Sequence, residues 1–84
     1  MTDQLEFDLL RRTCSAALEH FVSKARETDR RMQQLTLPVS LEMARQFTSQ
    51  RRAEVDACEE YLVVSNHLAA FVQQHLYQIG RAHV

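Results

Sequence analysis

The chain has 84 residues, of which 45% are apolar and 25% charged, with a net charge of −1, which suits one soluble domain. One glycine and one proline in the whole sequence exclude architectures built on repeated tight turns, so β-hairpin folds are ruled out and long uninterrupted helices are expected. The near-neutral balance argues against non-specific nucleic-acid binding, and no apolar run is long enough to span a bilayer.

Helix 1 is expected over about residues 3–35. Asp3 followed by Glu6 has the spacing of a capping box. Apolar residues then recur as Phe7, Leu10, Cys14, next Leu18, Phe21, Ala25, and finally Met32, so the triplets repeat every eleven residues. A period of about 3.67 implies a straight or slightly right-handed helix rather than a left-handed coiled coil. The stripe thins over Arg26–Arg31, where packing should be weak and a break would give three helices. Within this stretch Glu27 and Arg31 have the spacing of an i,i+4 ion pair. Proline disfavours the helical region for the residue before it, so Pro38 places a turn at about 36–39.

Helix 2 is expected over about residues 40–79. Ser40 is a good N-cap, Glu42 suits the first turn, and Gly80 offers a left-handed stop. One heptad line reads Leu41, Thr48, Val55, Leu62, Ala69, Leu76, and a second reads Ala44, Arg51, Cys58, Ser65, Val72, Ile79. A flanking line adds Phe47, Tyr61, Leu68 and His75. Through residues 61–72 the apolar side chains face every direction of the helix, which requires cover on more than one side.

A short connection makes the helices antiparallel neighbours. With a turn centred near residue 37, residues at one level should have numbers adding to about 74. That rule puts Cys14 and Cys58 within about one turn of level, sets His20 beside Glu54, and leaves residues beyond about 71 overhanging. The expected fold is therefore all-α: a single antiparallel two-helix hairpin over residues 1–84 that pairs into a dimeric four-helix bundle. Leu62, Leu68, Phe71, Val72, Leu76 and Ile79 are the expected oligomer interface. Val63, His67, Ala70 and Tyr77 form the candidate face for a protein partner.

The chemistry-bearing residues give no stronger signal. Cys14 and Cys58 sit on apolar stripes without any metal-ligand spacing, as small core thiols do. His67 and His75 share nearly one face of helix 2, but no Glu-x-x-His pair accompanies them. Glu59 and Glu60 are adjacent, so they point about 100° apart and do not converge on one atom. Seven basic against three acidic residues lie within 24–52, arranged as a solvated face with Phe47 as their only aromatic company. No catalytic residue, metal or cofactor is expected. The function this supports is a non-catalytic protein-interaction module acting as a helical-bundle homodimer, an adaptor, chaperone-like or regulatory subunit. The alternatives are a metal- or haem-binding bundle using histidine and cysteine, and a nucleic-acid-associated protein using the basic tip. Two cysteines and an N-terminus without a basic or apolar leader suit the cytoplasm.

Overall fold

In the computed structural model, which describes residues 2–82 and the side chains of 3–76, two helices form an antiparallel hairpin. Helix α1 spans Thr2–Gln34 and helix α2 spans Leu41–Ala82, with no strand among the described residues. The molecule is a rod with extents of 66 × 22 × 15 Å.

Helix α1 is unbroken through Arg26–Arg31, where helix-favouring side chains hold the backbone without an apolar stripe. Glu27 there pairs with Lys24 at 3.6 Å rather than with Arg31, whose Nη1 donates across the hairpin to Gln46 Oε1. Asp3 lies inside the first turn rather than at the N-cap, so the capping box does not form; its carboxylate faces His75 instead. Ser40 caps α2 as its sequence position implies, its Oγ accepting from the Met43 amide at 3.1 Å. Gly80 does not stop α2, which continues to Ala82.

The seam between the helices differs from the sequence expectation. With Asp8, Ala25 and Glu27 half-buried at its edges, the α1 face towards α2 is formed by the buried or half-buried Phe7, Leu10, Cys14, Ala17, Phe21, Lys24 and Thr28. Their spacing alternates three and four, a heptad seam rather than an eleven-residue repeat. On α2 the matching positions run Met43, Phe47, Gln50, Glu54, Ala57, Tyr61, Val64, Leu68, Phe71 and His75. The two stronger-looking heptad lines of α2 do not form the seam: Leu41, Val55, Leu62, Val72 and Leu76 are all exposed, and Cys58 and Ser65 are half-buried at its edge.

Phe7 stacks on Phe71 and Asp3 meets His75, so numbers at one level add to about 78 rather than 74. The helix ends at Gln34 and Leu41 centre the connection at 37.5, so its position accounts for about one residue of this four-residue slip. Three expectations fall with it. Cys58 lies about six residues, or roughly 9 Å, along the axis from the level of Cys14. Both thiols are half-buried rather than buried. His20 is exposed and is not level with Glu54, and Phe71 and His75 are covered by α1 rather than overhanging it.

Packing along the seam is uneven. Near the middle, large faces small: Phe21 lies level with Ala57 and Tyr61 with Ala17, and the two alanines are the most buried apolar residues, at 2% and 7% exposure. Towards the turn the layers become polar. Thr28 is buried, and its hydroxyl donates to the Lys24 carbonyl at 3.1 Å while Gln50 Nε2 donates to the same oxygen at 3.3 Å. Lys24 and Glu54 occupy the next level of the seam. Glu54 Oε1 is shielded from solvent with no hydrogen-bond partner among the described residues, and Arg51 Nη1 stands 3.7 Å away. No large side chain among those described is fully buried. A hairpin of two helices has no third element to close over its seam.

Candidate functional site

The hairpin has two long flanks of opposite character, and the heptad register defines both. The α1 line Gln4, Arg11, Leu18, Ala25, Met32 and the α2 line Ala44, Arg51, Cys58, Ser65, Val72 border the seam on one side. A groove at the open end, lined by Gln4, Phe7, Val72 and Leu76 among others, shows that these two lines share a flank. The opposite flank is joined by the Arg31–Gln46 hydrogen bond and a groove lined by Glu27, Arg31, Gln34 and Gln50.

On the first flank the neighbouring turns add Val22 from α1 and Val55, Leu62 and Leu76 from α2. Leu62 is 51% exposed and Leu76 62%, and Leu18, Val22, Val55 and Val72 are exposed beside them. This is the outward-facing heptad stripe of α2 extended by the middle of α1. The second flank is polar, carrying His20, Glu27, Gln46, Glu60, His67 and Gln74.

The residues expected at an oligomer interface therefore divide. Leu62, Val72 and Leu76 lie on the apolar flank and are exposed. Leu68 and Phe71 sit in the hairpin's own seam, half-buried. The side chain of Ile79 falls outside those described. Among the candidate partner residues, Val63 and Ala70 are exposed on the back of α2, about 100° round the helix from Leu62 and Ala69. His67 is exposed on the polar flank. The side chain of Tyr77 is outside those described.

At the open end, aromatic rings form a small stack that sequence inspection left unremarked. The Phe71 ring lies between Phe7, at 5.8 Å centroid separation and nearly parallel, and His75, at 4.0 Å. His75 Nδ1 donates to the Phe71 carbonyl at 2.8 Å, which turns Nε2 towards Asp3 Oδ2 at 3.6 Å. Arg11 covers the Phe7 ring, 5.1 Å from its centroid. The four-residue offset between Phe71 and His75 was the only signal that could have found this arrangement.

Among the described residues, no three His, Cys, Asp or Glu side chains converge as metal ligands would. No described helix is long and apolar enough to cross a membrane. No protein-family model, curated protein or solved structure matches the chain.

Proposed function

We propose that this protein is a non-catalytic protein-interaction module that acts as a helical-bundle oligomer, an adaptor or regulatory subunit of the cytoplasm. One observation carries the reading: α2 bears two apolar seams, and α1 covers only one of them. Leu41, Val55, Leu62, Val72 and Leu76 stay exposed. Helix-to-helix recognition uses such a stripe of i, i+3, i+4, i+7 anchors directly. Isolated exposed leucines are ordinary on a monomer, but an aligned row along one flank is the kind of contiguous patch that marks an interaction surface.

The proposed contact for a further protein joins Val63 and Ala70 on the back of α2 to His67 on the adjoining polar flank, with Tyr77 further along the helix. Light scattering at tens of micromolar, together with affinity capture from the native source, tests the whole reading. An oligomer, or a reproducible stoichiometric partner, is expected. A folded monomer that captures nothing would overturn it, as would substrate turnover or a coloured cofactor in the purified protein. Replacing Val63 and Tyr77 by lysine should abolish capture and leave the oligomer intact.

A further inference from the structure

A hairpin this size leaves much more surface in water than a compact chain does. A folded monomer of 9.8 kDa is expected to expose roughly 5,200 Å², whereas this one exposes 6894 Å², an excess of about 1,700 Å². A standard protein–protein contact removes about 800 Å² from each partner, so the excess is enough for one extensive interface. The apolar flank is where it can be removed at least desolvation cost, because Arg51 is the only charged residue on its α2 stripe.

Charge is distributed along the long axis with one sign at each end. Residues 24–52, which build the turn end, carry seven basic and three acidic side chains, a net of +4. The remaining residues, which build the open end, carry three basic and eight acidic side chains, a net of −5. A partner lying along the 66 Å rod should therefore be acidic at one end and basic at the other. A second copy of this chain has that length and that distribution when it is reversed. Parallel copies would place like charge against like at both ends.

We propose that the apolar flank is closed by a second copy of this chain running antiparallel, turn end against open end, to give a four-helix bundle whose inner layer is Leu18, Val22, Val55, Leu62, Val72 and Leu76. This rests on the interaction-module reading and commits it to a face, an occupant and a direction. Leu62 and Val63 provide a matched pair, since they are similarly exposed at 51% and 56% but face different ways.

Three measurements on the purified chain test it. Sedimentation equilibrium of the unmodified protein at tens of micromolar should give a dimer. Leu62→Asp should weaken it by at least about 100-fold, because each copy loses a leucine from the shared core and gains a buried charge. Val63→Asp should shift the dimer constant by no more than about 2-fold. Isotope-filtered nuclear Overhauser spectra of a mixed labelled and unlabelled sample of the unmodified protein then read direction without any substitution. Contacts from Met32, Leu41 and Ala44 of one copy to Val72 and Leu76 of the other are expected. Contacts of Leu76 to Leu76, or an equal loss of dimer with Val63→Asp, would overturn the proposal while leaving the interaction reading in place. A monomer overturns it too, and capture of a different protein by that monomer would show that only the occupant was wrong. If Leu62→Asp fails to fold, the control variant and the spectra still decide.

Discussion

Phe71 is where the hairpin's own stability can be tested most directly. Its ring lies between Phe7 and His75 in the seam at the open end, where few other side chains cover it. Truncating a fully buried phenylalanine to alanine costs about 3–5 kcal/mol, and a half-buried one about half of that. Loss of the parallel Phe7–Phe71 stack adds roughly 0.5–1.5 kcal/mol. Phe71→Ala should thus destabilise by about 2–4 kcal/mol, which for a domain of this length lowers Tm by roughly 10–20 °C. Phe71→Leu keeps most of the volume and loses the stack, so its cost should be nearer 1 kcal/mol. Thermal melts followed by far-UV circular dichroism at one fixed protein concentration measure both. A Phe71→Ala melt indistinguishable from the unmodified protein would mean that residue 71 does not pack on residue 7, and the whole inter-helix register would fall with it.

Removing the cap of α2 by Ser40→Ala should cost about 1 kcal/mol in urea denaturation, with Ser40→Asp restoring most of it, because the Met43 amide loses its acceptor in the first variant and regains one in the second. Ala57→Leu should cost about 1–3 kcal/mol or more, since Ala57 is 2% exposed at the level of Phe21 and a larger side chain must push the helices apart; equal stability in the same denaturation would refute the close approach. Oxidation of the dilute protein should produce no disulfide between Cys14 and Cys58 within one chain. Their levels differ by roughly 9 Å along the axis, beyond the Cα separation a disulfide spans. Intact-mass and peptide mapping after oxidation would detect the bridge if the register were wrong.

The helical hairpin and its turn were legible in the sequence because each rests on a local rule. Pro38 forbids continuation of the first helix, Ser40 caps the second, and the scarcity of glycine and proline leaves no other place for a turn. The choice of seam was not legible, and the reason lies in particular residues. After Phe7, Leu10 and Cys14, a count by hydrophobicity prefers Leu18 to Ala17, which turns a heptad into an eleven-residue repeat. The structure prefers Ala17, because a small residue lets the helices approach at the level of Tyr61. The same bias drew attention to Leu41, Val55, Leu62 and Leu76 on α2, whereas the seam uses Gln50, Glu54 and Ala57. Lys24 and Thr28 complete that polar stretch, and transfer free energies cannot pick such positions. Geometry does, once the turn has set which residues are level.

The two faces of α2 differ in what is required of their side chains. The helices of one chain are held together by a six-residue connection, so their effective concentration is high and little translational freedom remains to be lost when they pack. Such a seam tolerates Thr28, Gln50 and even the Lys24–Glu54 level, since modest burial suffices where closure is already covalent. An association between separate chains carries the full loss of translational and rotational freedom, several kcal/mol or more on the estimates of about 4–15 kcal/mol, and needs larger apolar side chains to offset it. Both faces of α2 carry large apolar residues: Leu62, Val72 and Leu76 point outward, while Phe47, Tyr61, Leu68 and Phe71 line the internal seam beside Ala57. On the proposed reading the internal seam sets register and the outer stripe supplies the binding energy, so the face that packs least within one chain is the face that carries the function.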